Sequence, residues 1–198
     1  MPRSLAFGAR GVPAIERSMT PPLPPAAPSS AAASHQALRR FLFSHPAHFI
    51  ALGCGSGLAR VAPGTAGTAW GWLAYLVLQA WLQPAAIGLV IAVSLVAGWW
   101  ACTVAARHLG VSDPGCIVWD EIVAIWIVLW LAMPMGFWGQ LAAFALFRYF
   151  DAAKPGPVRW ADSRFKGFGW RGGFGILFDD LVAAFCALVV IAVWRWFW

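Results

Sequence analysis

The sequence predicts an all-α protein, a polytopic bundle of about five membrane helices. Of its 198 residues, 61% are hydrophobic and 11% are charged, whereas a soluble domain carries about 25% charged residues. The hydrophobic residues form several long runs, and many of the 14 Trp lie at the ends of those runs, as interfacial aromatic residues do. We expect two helical hairpins followed by a C-terminal helix.

Two regions of different composition divide the chain. Residues 1–34 are rich in Pro, Ala, Ser and Arg, with a Pro-dense patch at residues 21–28. They contain no apolar stretch of signal-peptide type, and their composition predicts a disordered tail. Met19 is an alternative start of translation within this tail. Residues 35–198 are predicted to form one membrane-embedded domain.

The first predicted hairpin follows two small-residue loops. The second of these loops, at residues 63–68, precedes an apolar run that continues to Leu82. The pair Gln83-Pro84 interrupts the apolar sequence, because proline does not continue a helix. A second run extends over residues 85–106, so the chain is expected to cross the membrane and return.

The second predicted hairpin covers residues 117–150. As one helix this stretch would be about 51 Å long at 1.5 Å per residue, but a bilayer's hydrocarbon core is only about 30 Å thick. Pro134 and Gly136 interrupt its middle, so two helices are the better interpretation. Each is short for a full span, and a re-entrant hairpin is the alternative. Both arrangements return the chain to the same face.

The remainder predicts a polar loop and a last helix. Residues 151–175 are rich in Gly and Pro and are expected to form the loop. Residues 176–198 are expected to form the helix, with Asp179 and Asp180 in its first turn.

The basic residues predict the orientation. All Lys and Arg except Arg195 fall in the tail and on one side of the helices, and the positive-inside rule makes that side cytoplasmic. The net charge is +6. Because the basic residues flank membrane segments, anionic lipid is the expected partner and nucleic acid is not. The four Cys have no spacing that predicts a zinc site or a disulfide framework.

Five carboxylates are expected at this cytoplasmic face. An ionised Asp at the centre of a membrane helix costs about 2.5–3.5 kcal/mol, so adjacent Asp120 and Glu121 in an apolar run need polar partners. Asp179 and Asp180 come from the last helix, and Asp151 shares a helix face with Arg148 at i, i+3. Carboxylate oxygens grouped in this way predict a site for a hard cation.

Groups that could bind phosphate accompany the carboxylates. A helix N-terminus preceded by small residues can hold an anion through backbone amides, although such loops are also common turns. The facing loop is strongly basic, and its basic residues could instead bind lipid head groups. The candidate phosphate ligands are Gly64, Thr65, Gly67, Thr68 and Arg159.

With these residues placed, the chain resembles the phosphatidylglycerophosphatase A family over residues 49–196. The resemblance rests on four blocks, which are Gly55-Ser56-Gly57-Leu58 with Pro63-Gly64-Thr65-Ala66-Gly67-Thr68, Ile117-Val118-Trp119-Asp120-Glu121, Phe147-Arg148 with Asp151 and Lys154-Pro155-Gly156-Pro157-Val158-Arg159-Trp160, and Gly172-Gly173-Phe174-Gly175-Ile176 with Asp179-Asp180.

The resemblance implies a multi-pass enzyme of the bacterial inner membrane whose active site faces the cytoplasm. It implies magnesium-dependent conversion of phosphatidylglycerophosphate to phosphatidylglycerol and inorganic phosphate. The functional positions that it implies are Asp120, Glu121, Arg148, Asp151, Lys154, Asp179 and Asp180.

A mechanism consistent with the residues and with the resemblance is a hypothesis at this point. Mg²⁺ is held by some of Asp120, Asp151, Asp179 and Asp180. Glu121 is our candidate for the base that deprotonates an attacking water. Arg148 or Lys154, with the Thr65 loop, stabilises the phosphoryl oxygens. A covalent aspartyl-phosphate intermediate is an equal alternative.

Two other functions are alternatives. Cys54 and Arg60 fit the C-x-x-G-x-x-R pattern of cysteine-dependent phosphatases, although Gly53 stands where those enzymes usually have His, and Val61 where they have Ser or Thr. A cation- or proton-coupled transporter would carry charges at mid-membrane, and the apolar runs have none there.

Overall fold

The structure, a computed structural model, describes residues 30–197, with side chains from Ser34 onward. All regular elements in this range are helical, which confirms the predicted all-α class. They are α1 Ser30–Ser44, α2 Pro46–Ala51, a 3-10 helix Gly53–Leu58, α3 Pro63–Trp81, α4 Pro84–Leu109, α5 Trp119–Ala132, α6 Phe137–Ala153, α7 Pro157–Arg164 and α8 Trp170–Phe197. Most of the predicted disordered tail, including Met19, lies outside the described residues, and α1 begins within its last five residues.

Both predicted hairpin breaks occur where proline interrupts the apolar runs. Helix α3 ends at Trp81 and α4 begins at Pro84, since proline is favourable at the first position of a helix. Helix α5 ends at Ala132 and α6 begins at Phe137. The two pairs α3–α4 and α5–α6 are the helices predicted from the sequence.

Within residues 30–197, two helices are long and apolar enough to cross a membrane by length and composition. Helix α4 has 26 residues and α8 has 28, and the most apolar 18-residue stretch of each has a mean hydropathy of 2.1 and 2.5, respectively. Helices α3, α5 and α6 have 19, 14 and 17 residues, and a full span needs about 20. The number of five membrane helices therefore stays a prediction.

The last helix begins earlier than predicted. Helix α8 starts at Trp170, so Asp179 and Asp180 lie about three turns into it, and their predicted place in its first turn is wrong. The glycines that suggested a loop instead allow close helix packing. A Cβ on Gly173 would overlap Thr103 of α4, whose Cα lies 2.9 Å from the Cβ position.

The polar segment between α6 and α8 also contains an unpredicted helix, α7. Pro157 occupies its first turn, while Val158 and Ala161 are 0% and 1% exposed. Helix α7 packs against α8. This packing places Asp162 of α7 near Asp179 of α8, since both contact Lys154.

Helix α5 lies at the centre of the larger hydrophobic core. Its residues are buried on nearly all faces, among them Ile122, Val123, Ala124, Ile125, Val128 and Leu129. It packs against α3, α4, α6 and α8, as expected for a helix that is apolar all round. Its first turn, which carries Asp120 and Glu121, therefore lies where these helices converge.

Candidate active site

Three carboxylates from two helices form a cluster. Asp120 and Glu121 in the first turn of α5 and Asp180 of α8 each offer an oxygen, and these oxygens all lie within 4.8 Å of one another. Asp180 is 3% exposed. Three buried oxygens, Asp120 Oδ1, Glu121 Oε2 and Asp180 Oδ2, have no hydrogen-bond partner among residues 30–197. Buried carboxylates without a cation repel one another, so the donor set fits a hard divalent cation bound by oxygen ligands.

A guanidinium lies beside this cluster. Arg148 of α6 forms an ion pair with Asp151, as their i, i+3 spacing predicts, and its Nη1 lies 3.9 Å from Glu121 Oε1. Its buried Nε has no hydrogen-bond partner in the part of the chain that the structure describes. A guanidinium has five donors in a planar fork, so Arg148 keeps a donor for a further acceptor at this position.

The N-terminus of α3 contacts the same two side chains. The segment predicted to be a loop before a helix forms the beginning of α3 itself, with Pro63 at its first position. A Cβ added to Gly64 would overlap the Glu121 carboxylate and lie 3.3 Å from Arg148 Nη1 and Nη2. Amides in the first turn of a helix have no intrahelical acceptor, so Gly64 and Thr65 have amides suited to an anion.

The other predicted phosphate ligands are placed differently. Gly67 packs against Val118, and buried Thr68 donates its hydroxyl hydrogen bond to the Gly64 carbonyl at 2.8 Å. The side chain of Thr65 is exposed. Arg159 is exposed on α7 and forms none of the ion pairs found among residues 30–197. Of this predicted set, Gly64 is the residue found against Glu121 and Arg148.

The predicted metal ligands separate into two groups. Asp120 and Asp180 belong to the cluster, whereas Asp151 is paired with Arg148, and Asp179 is paired with Lys154 at 2.5 Å. Glu121, predicted to be a base, occupies the third position of the cluster. The metal-ligand set and the role of each carboxylate stay predictions.

Lys154 connects three elements through two carboxylates. It follows α6 in a left-handed conformation (φ 44°), and its Nζ lies 2.6 Å from Asp162 Oδ1 of α7 as well as 2.5 Å from Asp179 Oδ2. Burial lowers the pKa of Lys154, but the carboxylates of Asp162 and Asp179 outweigh it and raise that pKa above its usual range. Lys154 is therefore a charged ammonium.

Asp162 is a site residue that sequence reasoning assigned to a loop. Burial raises the pKa of its carboxyl group, but hydrogen bonds from Lys154 and Lys166 outweigh it and hold that pKa below its usual range. Lys166 Nζ lies 2.9 Å from Asp162 Oδ1 at i, i+4. That helical spacing was the available signal, and it was missed because α7 was not predicted.

The cysteine alternative receives no support from the geometry. Cys54 lies in the 3-10 helix with φ 56°, and burial raises the pKa of its thiol. A nucleophilic cysteine needs the opposite shift, which a nearby cation or helix N-terminus provides.

A helical bundle with clustered carboxylates, a guanidinium and a helix N-terminus has the groups that a phosphate-processing site needs. The family model for phosphatidylglycerophosphatase A matches residues 49–195. The chain therefore belongs to the phosphatidylglycerophosphatase A family, a family of phosphatases.

Individual relatives agree with the family model. Phosphatidylglycerophosphatase A of Haemophilus influenzae is 39% identical over 161 residues, which cover 80% of this chain and 95% of that protein. The Escherichia coli protein of the same name is 39% identical over 145 residues, covering 73% of this chain and 80% of that protein. A Bacteroides thetaiotaomicron protein, provisionally named phosphatidylinositol-3-phosphatase, is 38% identical over 154 residues, which cover 74% of this chain and 92% of that protein. No solved structure matches the chain.

Proposed function

We propose that this protein hydrolyses the terminal phosphomonoester of phosphatidylglycerophosphate and releases phosphatidylglycerol and inorganic phosphate. The observation that carries the proposal is the convergence of three carboxylates, Arg148 and the α3 N-terminus in a member of this family. A phosphate dianion needs this combination of positive charge and amide donors.

The proposal includes one or more Mg²⁺ ions. Among the described residues, Asp120 Oδ1 and Asp180 Oδ2 are unpartnered oxygens, and these are the ligands that we assign to it, because Mg²⁺ prefers carboxylate oxygens. When bound there, the ion would neutralise phosphate charge and act as a Lewis acid.

The cationic and amide groups would bind the phosphoryl oxygens. Arg148 is oriented by Asp151 and Glu121 on one side and retains a free Nε. The amides of Gly64 and Thr65 at the α3 N-terminus provide donors from the opposite helix. Donors fixed in this way stabilise charge that develops on the equatorial oxygens.

The bond changes follow from this arrangement. A water oxygen bonds to phosphorus while the bond between phosphorus and the glycerol oxygen breaks. A carboxylate takes the water proton, and the departing glycerol oxygen receives a proton from that carboxyl group or from solvent, which regenerates the carboxylate. We assign the base to Glu121, whose Oε2 has no hydrogen-bond partner. Attack by an Asp carboxylate is the alternative. A substrate with a phosphate made chiral by oxygen isotopes would distinguish the two, because one direct displacement inverts the configuration at phosphorus and two successive displacements retain it.

We also propose that the bundle is multi-pass, with α3, α4, α5, α6 and α8 in the membrane and the carboxylates towards the cytoplasm. In support, large apolar side chains are exposed on the outside of the bundle, among them Leu89 at 67%, Val96 at 69% and Phe185 at 66%. Soluble monomers rarely expose such surfaces over a wide area. The distribution of Lys and Arg supports the orientation.

A second candidate substrate is phosphatidylinositol 3-phosphate. The name of the Bacteroides relative favours it, and the same phosphomonoester chemistry would apply. The two lipids differ in the head-group alcohol, so the site residues described above do not separate them.

The test is phosphate release from each lipid by purified protein in detergent, with Mg²⁺ and with excess chelator. We expect release from phosphatidylglycerophosphate to depend on Mg²⁺ and to be lost in Asp120→Asn and Asp180→Asn. Two control variants should stay active. One is Asp113→Asn, which makes the same change at an exposed carboxylate, and the other is Cys54→Ser. Full activity in chelator would refute the metal site. Turnover of the inositol lipid alone would show that it, and not phosphatidylglycerophosphate, is the substrate.

A further inference from the structure

A large apolar cavity, called the groove below, is lined by residues other than the clustered carboxylates. It has a volume of about 760 Å³ and runs between α6 and the C-terminal half of α8. Gly136, which precedes α6, and the small residues Gly139 and Ala142 of α6 line the groove opposite Val190 and Ile191 of α8. Small-molecule sites typically have volumes of about 300–1,000 Å³, so this cavity is large enough for a ligand.

One end of this groove is adjacent to the candidate active site. Tyr149, which lines it, directly follows Arg148 on α6, and Trp194 and Arg195 line the opposite end. From Gly136 to Tyr149 the helix rises about 20 Å. One leaflet of a bilayer contributes about 15 Å of hydrocarbon, so the groove is long enough for a chain that extends from the head group to the membrane centre.

The groove is lined mainly by apolar side chains, which favour a hydrocarbon ligand. Of the described residues, no carboxylate lines the groove, and its charged or hydroxyl-bearing side chains are Tyr149 and Arg195, near its two ends. Arg195 donates a hydrogen bond to the Pro134 carbonyl at 3.0 Å. Helix α8, which forms one wall, is also one of the two helices apolar enough to cross a membrane.

The volume disfavours a partner helix. A helix about 10 Å across fills about 400 Å³ per 5.4 Å turn, so the groove would hold less than two turns of one. An acyl chain is narrower and can follow the full length of the groove. Its polar head would then lie at the Tyr149 end, next to the Arg148 guanidinium.

We propose that this groove binds one acyl chain of the lipid whose phosphate is held at Arg148. The inference rests on the proposed lipid phosphatase function and adds the place where the substrate's hydrocarbon is recognised. An acyl chain held there would position the phosphomonoester, so long-chain substrate should bind more tightly than its deacylated head group.

The first experiment is photo-crosslinking, which does not require turnover. The probe is phosphatidylglycerophosphate with a diazirine in one acyl chain, in vesicles with chelator present. We expect label in the groove segments of α6 and α8, and less label in Ala142→Phe and Ala145→Phe, which place a ring at exposed positions in the groove. Ala92→Phe, at an exposed position on α4, is the matched control and should label normally. Label spread evenly over the outer surface, unchanged in the groove variants, would overturn the proposal.

Kinetics then separate this proposal from the proposed function. In the groove variants, KM for dioleoyl substrate should rise at least about tenfold, while kcat/KM for the deacylated glycerol analogue stays at the wild-type value. Equal losses on both substrates, or a changed oligomeric state with unchanged chain-length dependence, would contradict acyl-chain binding. If the wild type labels in the groove but hydrolyses neither substrate, the phosphatase function fails and the lipid groove stands.

Discussion

Lys154 and Asp179 form an ion pair of 2.5 Å that joins the end of α6 to the first half of α8. The same ammonium also contacts Asp162 of α7, so one side chain links three helices. Asp179 is buried, with 7% of its surface exposed. Its charge is therefore compensated mainly by Lys154.

Replacing Lys154 tests this compensation. We expect Lys154→Ala to lower the free energy of unfolding by about 1–3 kcal/mol, because a buried carboxylate is left without its partner. Thermal unfolding in detergent measures the change. The double variant Lys154→Ala/Asp179→Asn should recover part of the loss, since the unpaired charge is removed. Additive effects of the two substitutions would show that the pair is not coupled.

The contact of Gly64 with the site predicts a selective loss of activity. In Gly64→Ala the new methyl group would overlap Glu121 and press on Arg148, so we expect kcat/KM to fall at least about tenfold with little change in the unfolding temperature. Gly115→Ala is the control, because a Cβ there meets nothing within 4 Å. Normal activity of Gly64→Ala would mean that the α3 N-terminus does not take part in the site.

The carboxylate cluster predicts a metal effect that can be measured without substrate. Mg²⁺ at one hundred times its Kd should stabilise the wild type by about 2.7 kcal/mol. Asp180→Asn should lose this response, and in chelator it should unfold at a higher temperature than the wild type, because one of three like charges is gone. Asp113→Asn should keep the full Mg²⁺ response. An undiminished response in Asp180→Asn would place the ion elsewhere.

A histidine pair predicts a dependence of stability on pH. His48 Nε2 and His108 Nδ1 are 2.8 Å apart. Burial lowers the pKa of His48; the Phe41 carbonyl opposes this shift, and His108 and His45 add to it. His48 therefore binds a proton more readily in the unfolded chain than in the folded protein. The stabilisation that depends on neutral His48 is full above about pH 6.5, and it is lost as the pH falls through the lower pKa of His48 in the folded protein. Between pH 7.5 and 5.5, His48→Gln should therefore lose less stability than the wild type, and an equal loss would contradict the assignment.

The sequence predicted the elements whose limits are set locally. Pro84 and Pro134 interrupt apolar runs, and proline acts on its own helix whatever the tertiary structure is. The convergence of Asp120 with Asp180 also followed from the sequence, since charged residues in apolar helices must find polar partners. The start of α8 could not be predicted from the sequence, because Gly173 looks like a loop residue until its close packing against Thr103 of α4 is known.

The sequence also could not predict which carboxylate contacts which cationic group. Side chains of adjacent residues on a helix point about 100° apart, and packing decides which of them faces a given neighbour. Glu121 therefore joins the cluster while Asp179 faces Lys154, although Asp179 and Asp180 looked equivalent in the chain. Asp162 was missed for the same reason, because α7 reaches Lys154 only when it packs on α8.

The position of the site along α8 has a consequence for access. Asp180 lies about 15 Å along α8 from Trp170, and Trp119, at the start of α5, donates a hydrogen bond to the Ser94 carbonyl of α4, well before that helix ends at Leu109. The ends of α4 and α8 thus extend past the carboxylates, which lie well inside the ends of both helices. In the proposed reaction a phosphate at the free tip of a head group would reach this depth more easily than one esterified on both sides.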